Sequence, residues 1–140
     1  MAQPIYVLMT DPLSAKELVE KTYLYVDRVV KECRKNLLPQ ILSQKKTLDE
    51  VEIGPYLGRT LEEWFNKRDR LLNIKWQKQS VKLGSKNDVH LKFEGRNKDA
   101  VFTVNCDAEL LPIMDPTTGA KKYYLKNVNI VAERSNFRRP

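Results

Sequence analysis

The chain is poor in the residues from which catalytic and metal centres are usually built. It has two cysteines, Cys33 and Cys106, and a single histidine, His90. None of the three has another Cys or His near it in sequence, which argues against a structural zinc site. Two widely separated cysteines do not form the disulfide framework of a small secreted domain. They are expected as small core residues kept reduced, in a cytoplasmic or otherwise intracellular protein. The five glycines are scattered, and neither GxxxxGK[ST] nor GxGxxG occurs, so no phosphate-cradling loop is written into the chain. Long apolar runs are also missing. Ile5-Tyr6-Val7-Leu8-Met9 is too short to cross a bilayer and follows no basic segment, so it is expected as a buried strand or extended arm, with no membrane association.

Catalytic groupings are equally sparse. Alternation turns His90 away from the core, but no nucleophile or acid partner is recognisable for it as a general base. Asp107 and Glu109, with Asp88 and Glu94, faintly resemble a carboxylate cluster. The acidic-x-Lys pairing of a metal-dependent nuclease is missing, and a polar strand edge explains these residues better. No enzyme activity, metal or cofactor is therefore expected. A metal-independent ribonuclease using Lys and Arg ranks a distant third among the functional readings.

What the chain does have is clear local patterning. The hydrophobic share is 41% and the charged share 31%, a globular rather than a disordered balance. At 140 residues one core is expected, hence a single domain over 1–140. Ser14 with Glu17 reads as a capping box, and Leu13 with Leu18 as a hydrophobic staple. Val19, Thr22, Val26, Val29, Val30, Cys33 and Leu37 then recur at helical spacing, predicting a one-striped helix over 15–37 that Pro39 ends or kinks. Residues 40–58 read as short helical pieces, stopped by Gly54-Pro55 and Gly58. Thr60 with Glu63 predicts the cap of a second main helix, with Leu61, Trp64, Phe65, Leu71 and Leu72 on its apolar side. That helix is expected to end between Ile74 and Gln79.

From about Val81 the period falls to two. Val89, Leu91 and Phe93 alternate with His90, Lys92 and Glu94; a turn at Gly95-Arg96-Asn97-Lys98 leads to Ala100, Phe102, Val104 and Cys106. Asp115-Pro116-Thr117-Thr118-Gly119 predicts a second turn. It separates a strand near 110–114 from one over 123–132, in which Lys126-Asn127 suggests a β-bulge. The prediction is an α+β domain, with helices capped at Ser14 and Thr60 on one face of an antiparallel meander of four or five strands. Residues 134–140 are expected as a loose basic tail. The other face of the sheet is left for function.

Charge is uneven. Residues 1–70 carry 12 basic and 11 acidic side chains, whereas residues 71–140 carry 13 and 7. The excess that gives the chain its net charge of +7 therefore lies almost entirely in the sheet half. Lys67, Arg68, Arg70, Lys75, Lys78, Lys82 and Lys86 crowd around Trp76. Lys121, Lys122 and Lys126 accompany Tyr123 and Tyr124, and Arg138 and Arg139 follow Phe137. Cations release condensed counterions from phosphates, and aromatic rings stack on unpaired bases. The pattern thus favours a nucleic-acid-binding accessory protein for replication, transfer or packaging, preferring single-stranded DNA or RNA. The expected contacts are Lys67, Arg68, Arg70, Lys75, Trp76, Lys78, Lys82, Lys86, Lys121, Lys122, Tyr124, Arg138 and Arg139. The rival reading is an adaptor that joins an acidic protein partner, or a second copy of itself, through helix 15–37 or a free sheet edge.

Overall fold

The computed structural model describes residues 12–68 and 72–140, with side chains from residue 15 onward. The Ile5–Met9 segment, Arg70 and Leu71 lie outside the described residues, as do the side chains of Leu13 and Ser14. Helices α1 (Pro12–Glu32), α2 (Leu38–Ser43) and α3 (Glu50–Arg68) precede strands β1 (Lys75–Leu83), β2 (Asp88–Arg96), β3 (Val101–Met114) and β4 (Lys121–Ala132). The strands form one antiparallel sheet in the order β1-β2-β3-β4, the α+β meander that the change of period predicts. Helices α1 and α2 pack on β4 and α3 on β1 and β2, so the helices share one face of the sheet.

The first helix starts at Pro12, two residues before the expected cap at Ser14. Pro12 suits this place because its fixed φ is already helical and a first-turn N–H has no helical acceptor. Pro39 does not end the rod. Residues Cys33–Leu37 form a π-turn in which the Leu38 N–H reaches the Cys33 carbonyl, and α2 continues to Ser43. A proline inside an α-helix removes one N–H and crowds the carbonyl four residues back; the wider π-turn sits where that conflict falls. Thr22, Val26, Val29, Val30 and Cys33 are buried in the chain's own core. The stripe proposed for a partner is thus already occupied.

The break expected at Gly54, Pro55 and Gly58 is absent, since α3 runs through all three. Its cap is Asp49, which accepts the Glu52 N–H at 2.8 Å; that hydrogen bond holds the Asp49 carboxyl below its ordinary range. Thr60 lies mid-helix, and its hydroxyl donates to the Tyr56 carbonyl at 2.7 Å. The glycines let the helix approach β1. A Cβ at Gly54 would collide with Val81, and one at Gly58 would come within 2.5 Å of Lys78 Cδ. They are close-packing residues here, and the local cost of glycine in a helix is offset by that approach.

The helix is described to Arg68, and residues 75–79, where its end is expected, belong to strand β1. A bulge interrupts the alternation of each outer strand. The β1–β2 register shifts between Lys78 and Ser80, leaving Gln79 extra. The β3–β4 register passes from Glu109↔Asn127 to Leu110↔Leu125, leaving Lys126 extra at the predicted bulge. The free edge of β1 is covered by α3: Asn66 Oδ1 accepts the Trp76 N–H at 3.3 Å and Glu62 Oε2 the Lys78 N–H at 3.0 Å. Beyond β2, Pro112 lies in the exposed end of β3, where a missing N–H discourages another strand from adding.

The core is a ladder of rings. Phe65 stacks on Trp76 (4.4 Å between centroids, 14° between planes), and Trp76 meets Phe102 edge-on at 5.2 Å. Phe102 stacks on Phe137 at 4.5 Å, and Tyr23 closes the series edge-on at 5.0 Å. Gly95 pairs with both Trp76 and Phe102 across the sheet, and a Cβ there would collide with the Phe102 ring. Each such buried ring contributes roughly 1.5–3 kcal/mol from apolar burial. Cys33 and Cys106 are buried as expected. Burial pushes both thiols up to about 12, and for Cys106 the neighbouring Cys33 adds to the shift. No described helix is long and apolar enough to cross a membrane.

The last residues are docked rather than loose. After a 3-10 turn at Arg134–Asn136, Arg138 pairs with Val101, both backbone hydrogen bonds being made (2.8 and 3.1 Å). Phe137 anchors the segment by burial against Phe102.

Candidate nucleic-acid interface

The face of the sheet away from the helices is mixed, polar over β2 but with Val101, Leu111, Ile113 and Val131 among its residues, and cross-strand pairing fixes what stands beside what. Side chains at paired positions share a face, and successive residues alternate. The register Lys75↔Arg96, Arg96↔Val101 and Val101↔Arg138 therefore sets Lys75, Arg96 and Arg138 in one row across the end of the sheet. At about 4.8 Å per strand the row is roughly 14 Å long. Lys92 follows on β2, paired with Ser80 and Asn105. Arg96 is joined to Glu94 at 3.4 Å. Lys75, Lys92 and Arg138 carry no ion pair among the described residues.

The opposite end of this face has a different character. His90 stands between Lys82 on β1 and Asp107 on β3. Its Nδ1 is hydrogen-bonded to Asp107 and its Nε2 lies 2.9 Å from Asp88 Oδ2. The hydrogen bond to Asp107, then that to Asp88, raises the His90 pKa above its ordinary 6.5. Glu109 pairs with Asp88, which keeps this end anionic. Among the described residues no group of three acidic, His or Cys side chains is placed to hold a metal ion. The face is thus polarised, cationic at the Lys75–Arg138 row and acidic around His90.

The expected contact residues divide accordingly. Lys75, Lys82, Lys122, Tyr124 and Arg138 share the open face, though Lys122 and Tyr124 lie on the β3–β4 extension, opposite Ile113 and Leu111. Lys67 and Arg68 are exposed at the end of α3, with the Arg68 guanidinium 5.0 Å from the Trp64 ring centre. Lys86 is in the β1–β2 turn. Lys121 sits over the Tyr123 ring, 5.5 Å from its centre, on the helix side with the buried Tyr123. Arg139 is exposed beyond the bridge. Arg70 lies outside the described residues.

Two assignments are corrected. Trp76 is only 4% exposed, and its ring is enclosed by Phe65 and Phe102, so it offers no platform to a base. Lys78 points to the helix side, half-buried against Gly58. Phe137, beside Arg138 in sequence, is buried as well. The physical reason is strand alternation. Lys75 and Trp76, or Arg138 and Phe137, are adjacent in sequence and therefore point to opposite faces. The basic–aromatic interleaving is thus sorted by the sheet into a cationic row outside and a ring ladder inside.

Lys92 and Arg96 were missed because they belong to no dense basic run. Their outward position is legible in the β2 alternation of His90, Lys92, Glu94 and Arg96. Their alignment with Lys75 depends on the bulge at Gln79. No protein-family model matches the chain, and no match is found among curated proteins or solved structures.

Proposed function

We propose that the protein binds single-stranded nucleic acid without acting on it chemically, as an accessory factor, using the cationic end of its open sheet face. The observation that carries this reading is the row of Lys75, Arg96 and Arg138, with Lys92 beside it, drawn from three separated stretches of sequence. Such a row suits phosphates at regular spacing. With no exposed ring in the row, affinity rests on charge, and little dependence on base sequence follows. The acidic end around His90 repels phosphate and confines the strand to the other end.

Four phosphate contacts on a single strand give a slope of log K against log salt of about −3. The test is fluorescence anisotropy with labelled single-stranded DNA, single-stranded RNA and duplex DNA across a salt series. Weakening by Lys75→Ala, Lys92→Ala and Arg138→Ala, in graded steps, supports the reading. Arg96→Ala weakens more than any lysine change, because Glu94 is then left uncompensated on the same face. Unchanged affinity in the quadruple variant sinks this placement. An adaptor would have to use a sheet edge or the outer side of helix 15–37, because the apolar stripe of that helix packs in the chain's own core.

A further inference from the structure

We propose, resting on the reading above, that the bound strand does not stop at the end of the cationic row but turns over the sheet edge at Arg138 and continues into a groove on the helix side. Arg138 pairs with Val101 at the margin of the sheet, so the next residue, Arg139, alternates to the opposite face. There a concavity of about 250 Å³ opens between the start of α1 and the docked C-terminal segment, lined by Lys16, Tyr23, Arg134, Phe137, Arg138 and Arg139. Arg138 therefore borders both surfaces, and the row and the groove form one positive path.

Within the groove the charges have distinct roles. Glu20, the groove's carboxylate, is bound by Arg134 through both oxygens. The Arg134 guanidinium also lies 4.3 Å from the centre of the Tyr23 ring. This cluster closes the groove wall and covers the ring, so Tyr23 is not open to a base. Lys16 and Arg139 are exposed and make no ion pair among the described residues, which leaves them for phosphate. A path that reverses face over a single sheet edge excludes a duplex, whose persistence length is about 150 base pairs. A single strand makes that turn readily. The geometry therefore selects single-stranded nucleic acid with a footprint that wraps the edge.

The test compares the 140-residue chain with Lys16→Ala/Arg139→Ala and with Arg96→Ala/Arg138→Ala. Labelled oligothymidylate of about 20 nucleotides exceeds the span of a small single-strand site and serves as the probe. The extended path predicts a wild-type salt slope of about −4, reduced by about 1.4 in Lys16→Ala/Arg139→Ala, with affinity roughly 20-fold weaker at 0.1 M salt. If Arg96→Ala/Arg138→Ala weakens binding while Lys16→Ala/Arg139→Ala leaves slope and affinity unchanged, the wrap is overturned and the binding face stands. If the wild type does not bind at low salt, the functional reading itself fails. Thermal unfolding of both exposed-residue variants at the wild-type temperature assigns any loss to binding and not to the fold.

Discussion

The rings of Phe65 on α3 and Trp76 on β1 lie 4.4 Å apart and nearly parallel, and this stack joins helix to sheet directly beneath Lys75. The cationic residue outside and the aromatic residue inside are consecutive, so the same backbone that carries the charge is fixed by the core. A row built on such a strand keeps its spacing without help from flexible loops, and that preorganisation favours repeated phosphate contacts.

Trp76 is therefore a stability residue. Trp76→Ala should cost about 3–5 kcal/mol in urea denaturation, the range for removing a large buried aromatic. Trp76→Phe should cost far less, because it keeps the stack while removing an indole N–H that has no acceptor among the described residues. Nucleic-acid affinity of the folded Trp76→Phe variant should equal that of the wild type. A large affinity loss in that variant would restore Trp76 as a contact.

Gly54 and Gly58 supply a second prediction. An alanine normally stabilises a helix by about 1 kcal/mol over glycine. At Gly54 the added methyl meets the branched, half-buried Val81, and overpacking of this kind costs about 1–3 kcal/mol. Gly54→Ala should therefore lower the melting temperature. Gly58→Ala should be milder, because Lys78 has a flexible stem that can swing aside. Stabilisation by Gly54→Ala would contradict the close helix–strand approach.

His90 gives a pH prediction. Its two carboxylate partners raise the folded-state pKa above 6.5, so the protonated form is favoured by folding. The stabilisation is complete below the unfolded value near 6.5 and is lost as pH rises through the folded value. The imidazole is half-exposed, so solvent screening keeps the effect small. An NMR titration should find the His90 pKa above 6.5 and moved down in Asp107→Asn, the larger of the two partner effects. A value at or below 6.5 in the wild type would show that the Asp88–His90–Asp107 arrangement does not hold in solution.

The architecture was legible where local signals and tertiary packing agree. The stripe from Thr22 to Cys33, the alternation of β2 and the Asp115–Gly119 turn all reappear as element, strand and hairpin. Gly119, at φ +72°, adopts the left-handed conformation that suits glycine at such a turn. Legibility failed where one residue serves two levels. Gly54 and Gly58 read locally as breakers, but their lack of a side chain is used by β1. Gln79 breaks the alternation of β1, so a strand resembled the tail of a helix. The site was half-legible for the same reason. Basic and aromatic residues were seen together, but only the register decides which share a face. Arg96 and Arg138 meet across Val101 through a bridge that no sequence spacing announces.

The measurement that bears most directly on the central claim is the salt dependence of binding to a 20-nucleotide single strand, wild type against Arg96→Ala/Arg138→Ala. The account predicts binding that steepens to a slope of about −3 or beyond, exceeds that for duplex DNA, and drops sharply in the double variant. Binding that is absent at low salt, or identical in the two proteins, would contradict it.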